Sequence, residues 1–371
     1  MNRTPSAPGA RTDGTEDTDG TADAASPVAS PAAPPRRSAT PHPAAPPRRA
    51  VLLRRLAMPA TILVVAALLV ASLMVGGYDI TFANLFTADA WNMFLISRVP
   101  RTLALVFAGV AMSVSGVIMQ VLTQNRFVEP TTIGTSQWAG FGILVMLILV
   151  PGASPLLRMT VATVFAFAGT LAFMAIVRRV SLQSSIVVPL IGIMLGAVVS
   201  AVTMYLAATF NLLQSMDAWR SGGFSSIVRG SYEPLWIVAG TTVATFFLAD
   251  RLTVAGLGRD LATNVGLRYE RVVLLGTLVV AVATGVTSVV VGFLPFLGLI
   301  VPNMVSMVRG DDVRKNLPWV ALVSVALILA CDLIGRVVIA PLELPVSVVL
   351  GTVGAVGFIA LVLRQRRHVS Y

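Results

Sequence analysis

The sequence predicts an all-α polytopic membrane protein with about ten transmembrane helices, and three observations carry that prediction. Apolar residues make up 56% of the 371, giving a strongly positive mean hydropathy. Charged residues are only 12%, against about 25% in soluble proteins. Apolar runs of roughly 18 or more residues follow one another, each long enough to cross ~30 Å of hydrocarbon.

The net charge of +10 does not point to nucleic acid. Its arginines sit at the edges of apolar runs and in a basic juxtamembrane cluster, without the interleaved aromatics of a binding groove. Loops on the cytoplasmic side of membrane proteins collect Lys and Arg, which accounts for the excess. The single cysteine, Cys331, lies inside an apolar run, so no disulfide framework or cysteine metal site is expected. The two histidines, His42 and His368, are in the tails, which argues against an intramembrane metal pathway and against any metal or cofactor site. No phosphate-binding Gly-x-x-x-x-Gly-Lys-Ser/Thr loop is present, so the chain is expected not to hydrolyse ATP itself.

Residues 1–50 are rich in Pro, Ala, Ser, Thr, Asp and Gly and lack apolar periodicity. Such a segment buries too little surface to offset its ordering entropy, so a disordered cytoplasmic tail is expected. Residues 51–371 form the membrane domain. Its spans are placed near 56–76, 101–122, 133–150, 158–177, 186–207, 235–250, 271–292, 295–308, 318–338 and 345–363. Even parity puts both termini on one side. Arg178, Arg251, Arg268 and Arg314 crowd that side, whereas Arg98, Arg101, Arg158 and Arg220 lie opposite, so both ends are assigned to the cytoplasm.

Five stretches carry the functional reading, taken in chain order. Ser97-Arg98-Val99-Pro100-Arg101 opens the second span and runs into a small-residue helix with Gly109, Gly116 and Gln120. Small residues let helices approach closely, with or without a ligand. Arg98 and Arg101 depart from the positive-inside trend, either by snorkelling to headgroups or by meeting an acidic partner. Asn125-Arg126-Phe127-Val128-Glu129-Pro130 then leads to Gly134. Trp219, in Asp217–Phe224 after the fifth span, reads equally as an interfacial anchor or as a residue near a translocation path.

The fourth stretch, Ala255–Leu267, holds Gly258, Arg259, Asp260, Leu261, Ala262 and Gly266, a short polar helix bracketed by glycines between two spans. The fifth, Val291–Trp319, has Pro295, Gly298 and Pro302 in an apolar run that stops at Arg309-Gly310-Asp311-Asp312. Proline breaks are tolerated in a bilayer where neighbours satisfy the freed backbone. Asn303, next to Pro302, needs a partner at that depth. Beyond it, Asp332 and Arg336 stand one helical turn apart and can pair locally.

These stretches together resemble the iron-siderophore and cobalamin (FecCD-type) family of ABC-importer permeases, over about residues 55–367. The matching residues are Arg98-x-Pro100-Arg101, Gly298-Leu299-Ile300-Val301-Pro302, Gly310-Asp311, Arg314, Pro318, Asp332 through Arg336, and Glu343-Leu344-Pro345. Two departures stand out: Asn125-Arg126-Phe127 where Asn-Pro-Leu is usual, and Asn303 where many members carry His. The latter resembles a branch associated with ferric siderophores.

The resemblance implies a type II ABC-importer permease fold. It implies that Gly258 through Gly266 couples to an ATPase subunit, and that Arg98, Arg101 and Arg336 dock an extracytoplasmic siderophore-binding protein. It marks Pro302, Asn303 and Trp219 as helix-break or translocation candidates. The partners it implies are two ATP-binding subunits and a second permease subunit, a different chain or a second copy. The alternatives from other classes are a permease for cobalamin or haem, and a secondary, ion-coupled transporter. The scarcity of carboxylates in the spans disfavours the latter.

Overall fold

Each apolar run closes its own backbone hydrogen bonds as a helix, which is how an open chain satisfies them in hydrocarbon. The structure, a computed structural model, describes residues 48–76, 87–179 and 186–368. Most of the expected disordered tail, residues 1–47, lies outside the described residues. Among those described there is no strand.

The helices follow as α1 (Arg48–Met74), α2 (Ala88–Met93), a π-helical turn (Phe94–Arg98) and α3 (Val99–Thr123). Then come α4 (Thr135–Leu149), α5 (Pro155–Val177), α6 (Val187–Thr209), α7 (Leu213–Ser221) and α8 (Leu235–Ala255). The chain ends with α9 (Arg259–Asn264), α10 (Tyr269–Val291), α11 (Leu297–Arg309), α12 (Val313–Val337) and α13 (Val346–His368). Seven of these segments are long and apolar enough to cross a membrane, counting α2 through α3 as one. Thr135–Leu149, Leu297–Arg309 and Val346–Ala360 are shorter apolar helices, and an expectation of about ten crossings rests on them.

The core is built around α3, which packs against α8, α10, α11 and α12. Ala104, Leu105, Ala108, Ile118 and Met119 on it are wholly buried. Its glycines set the closest crossing: a Cβ on Gly116 would lie 1.9 Å from the carbonyl oxygen of Gly298 in α11. Backbone therefore meets backbone there, as small residues allow between membrane helices. On the other side α4 and α5 form a tight pair against α10. The start of α5 is fixed by Pro155 and by Ser154, whose hydroxyl accepts the Leu157 amide at 3.3 Å.

Two intervals left between the expected spans contain further helix. Residues 88–98 extend the second span upstream, and α7 lies within the 208–234 gap. The π-helical turn has a local cause. Pro100 has no amide hydrogen, and the Ile96 carbonyl accepts instead from the Arg229 amide at 2.9 Å.

Candidate functional site: a broken helix between a charge cluster and a short surface helix

α10 stops at Gly292, whose φ of +82° suits glycine, and the chain crosses to Phe296, itself left-handed at φ +63°. The thirteen-residue α11 starts there, as the short eighth span and its prolines led us to expect. Pro302 has no N–H to offer the Gly298 carbonyl four residues back, and the amide of Gln120 on α3 approaches that oxygen at 3.4 Å. Asn303 finds the partners its depth demands. Its Nδ2 donates to Leu299 O and to Arg126 O, both at 2.7 Å.

The second acceptor belongs to an elbow, residues 124–134, between α3 and α4. The missing proline of the usual Asn-Pro-Leu is replaced by a side-chain turn, with Asn125 Oδ1 accepting the Phe127 amide at 2.9 Å. Glu129 in this elbow is wholly buried. Its Oε1 accepts the Phe296 amide at 2.9 Å and the Thr131 hydroxyl. Sequence reasoning missed this residue because it falls between expected spans. The available signal was a carboxylate beside Pro130 leading into an apolar run.

At one end of α3 the three arginines expected to dock a partner come together, but they are turned inward. Arg101 bridges Asp332 at 2.8 Å and Glu343 at 2.9 Å. Arg336 pairs with Asp332 one turn away, the local arrangement weighed from the sequence. It also donates to the carbonyls of Ser72 at 2.8 Å and Val75 at 2.7 Å. Arg98, also buried, donates to Val75 O. Asp332 is wholly buried, and only 11% of the Arg101 side chain is exposed. Burial pushes the Glu343 carboxyl up, but the Ser225 hydroxyl and the Arg101 guanidinium outweigh it and hold the group below the usual carboxylate range. Glu343 lies 242 residues from Arg101, so no local pattern announced it.

At the other end of α3 lies α9. Gly258 caps it at φ +103° and Gly266 follows it at φ +83°, conformations that require glycine. Ala262 is wholly buried and anchors the helix, while Leu261 (58% exposed) and Val265 (72%) stand outward. Asp260 in its first turn suits the positive end of the helix. Glu270 bridges Arg178 at 2.8 Å and Arg259 at 3.5 Å, tying α9 to the end of α5. Between the ends of α3 and α8 and the Pro302 stretch of α11 opens a cavity of about 360 Å³, lined by Gln120, Gln124, Arg126, Gly256, Pro302 and Asp311.

Trp219 sits elsewhere. Its ring fills a slot left by Gly140, where a Cβ would come within 2.5 Å, and its Nε1 donates to Ser288 O. With Ser136, Gln137, Thr203 and Phe293 it lines a small cavity of about 50 Å³. It does not join Pro302 and Asn303 in one place.

With this geometry in hand, three relatives are informative. The chain is 51% identical over 306 residues to the petrobactin import system permease protein FatD of Bacillus anthracis, covering 82% of this chain and 90% of that one. It is 40% identical to the petrobactin import system permease protein YclN of Bacillus subtilis, covering 81% and 96%. It is also 40% identical to the ferric-anguibactin transport system permease protein FatD of Vibrio anguillarum, covering 82% and 97%. The fold matches a solved metal-chelate-type ABC transporter in an inward-facing conformation, with TM-score 0.71 and 23% identity over 82% of this chain and 98% of that one. Residues 62–364 match the FecCD transport family, and the chain is a multi-pass membrane permease belonging to that family.

Proposed function

We propose that the chain is the transmembrane subunit of an ATP-binding-cassette importer that moves a ferric siderophore across the cytoplasmic membrane by alternating access. The observation that carries the ATP-driven part is α9. A buried Ala262 anchors a short helix that presents Leu261 and Val265 outward, a knob suited to a cleft on an ATPase subunit. The cargo is read from the relatives, whose names are those of petrobactin and ferric-anguibactin permeases.

In this reading both termini and α9 face the cytoplasm, and the Arg98 end faces out. Two ATP-binding subunits close beneath α9 of this chain and the matching segment of a second permease subunit, a different chain. Outside, the cluster of Arg98, Arg101 and Arg336 is the docking point for a carboxylate on a siderophore-binding protein. Pro302 and Asn303 hold the break in α11 between these two ends.

Uptake of radioactive iron tests the reading, presented as several ferric siderophores to cells with and without this gene. Loss of uptake for one chelate class, reproduced by an ATPase-dead partner subunit, is the expected result. Normal uptake of every iron chelate would overturn the siderophore assignment and turn attention to cobalamin or haem.

A further inference from the structure

We propose that the elbow 124–134 is the relay between α9 and the broken helix α11, with Glu129 the positioning residue that pins the two together. This rests on the ATP-driven reading of α9 given above, and it concerns residues that reading leaves unused.

The elbow touches each element it would have to link. At its start Gln124 takes a left-handed conformation (φ +49°), and its Nε2 would lie 3.0 Å from a Cβ placed on Gly258, the cap of α9. In its middle two pins reach α11, from Asn303 to Arg126 O and from the Phe296 amide to Glu129. These pins sit seven residues apart on α11, about 10 Å along a helix, so they hold its direction as well as its position. At its end, Gly134 and Gly196 of α6 meet backbone to backbone, a Cβ on Gly134 lying 3.3 Å from the Gly196 Cα. A Cβ on Gly192 would come 2.5 Å from Thr132 O. No side chain intervenes at the two α6 contacts, so the elbow is seated firmly there, while its link to α9 runs through the Gln124 side chain.

Glu129 is the member that cannot slip. Its second oxygen faces the first amides of α11, at Gly298 and Leu299, yet completes a well-formed hydrogen bond with none of the donors described. The carboxylate thus depends on the positive end of α11 as well as on Phe296. Burial pushes the Glu129 carboxyl up to about 7, so its hold on α11 is the hydrogen bond rather than a fixed charge. Were the elbow to move without α11, the wholly buried carboxyl and the Phe296 amide would lose each other, a costly loss in such a site. Moving together is cheaper than moving apart. Coupling of this kind needs a contiguous chain of contacts, and the elbow supplies one.

The test uses the assembled transporter with its ATPase subunits, spin-labelled at exposed Thr263 on α9, off the Leu261 and Val265 stripe, and at Met304 on α11, with Cys331 replaced by Ser. In the parent the distance between labels should stay the same with and without trapped ATP. In Glu129→Ala it should shift between the two states, and ATP hydrolysed per imported iron, with ferric petrobactin as probe, should rise at least about fivefold. A distance that already shifts in the parent, or that stays constant in Glu129→Ala, overturns the relay. So does a proportional fall of hydrolysis and uptake. If Glu129→Ala does not assemble, Glu129→Asp takes its place, because it keeps a carboxyl in the elbow but withdraws it from the Phe296 amide. It should show the same shift, and a constant distance there overturns the proposal equally. A parent that behaves as expected in the distance measurement yet imports no ferric petrobactin would leave the relay standing and sink the cargo assignment.

Discussion

The two ends of this molecule carry similar charges in opposite ways. At the Arg98 end, Asp332 is fully buried and shared between Arg101 and Arg336. At the α9 end, Arg126–Asp311, Arg314–Asp250, Arg178–Glu270 and Lys315–Asp312 pair on the surface, with side chains 39–77% exposed. Buried charges tolerate no loss of a partner, since the survivor is stranded in low dielectric. Exposed pairs are solvated when they part and contribute little. The Arg98 end is therefore built to stay fixed and the α9 end to yield, as the proposed seating of an ATPase subunit against α9 requires. In the proposed orientation this asymmetry gives an importer a stiff frame outside and a compliant surface inside.

The hardest blow to that comparison is Asp332→Asn. It leaves Arg101 with Glu343 alone and removes the one carboxylate that Arg336 has, so a destabilisation of about 3–5 kcal/mol is expected. Thermal unfolding of the purified complex, followed by loss of monodisperse protein, measures it. A change of less than about 1 kcal/mol would place the cluster with surface pairs and erase the distinction.

Much of this asymmetry was legible in the sequence at the level of elements. The short α11 followed from Pro295 and Pro302 in an apolar run, because proline leaves a backbone carbonyl that something must satisfy. Asn303 announced its need for a partner, though not that Leu299 O and Arg126 O would supply it. The i,i+4 pair of Asp332 and Arg336 was also visible, since one helical turn fixes its geometry.

What stayed hidden depends on contacts between distant segments. Arg98 and Arg101 stood out as misplaced charges, but their inward direction is set by the carbonyl of Val75 and by Glu343. Glu129 gave no sign of burial because its pocket is made by the start of α11, 167 residues later. Trp219 remained balanced between two readings because the slot at Gly140 exists only once α4 and α7 are folded.

A milder change sharpens the comparison at its functional edge. Glu343 shields Arg101 with a carboxylate of the chain's own, so Glu343→Gln exposes an additional positive charge without removing an arginine. Docking of an acidic binding protein should tighten several-fold, about 1 kcal/mol, and more so at low salt. Acid should push the wild type the same way only once the pH falls below the usual carboxylate range, because the Glu343 carboxyl is depressed, and mild acid should leave docking unchanged. Binding-protein titration against the reconstituted transporter reads both. Weaker docking in Glu343→Gln would mean that the glutamate positions Arg101 for the partner and does not compete with it. The same titration on Arg98 and Arg101 reversal variants would be harder to read, because reversal also breaks the internal cluster.

The smallest expected effect lies at the inner end and is the more demanding test of the idea. Arg126 and Asp311 pair at 2.6 Å on the rim of the 360 Å³ cavity, with 52% and 65% of their side chains exposed. A double-mutant cycle of Arg126→Ala and Asp311→Asn should give a coupling of no more than about 1 kcal/mol. Arg126→Ala leaves the backbone oxygen that accepts from Asn303, so the pin on α11 survives and only the surface pair is lost. Stability should therefore barely move, and transport should follow it. A coupling as large as that expected for Asp332 would show that the rim is locked as firmly as the outer cluster. The inner surface would then have no compliant pair at the cavity, and movement at that end would have to come from α9 and its Glu270 bridge instead.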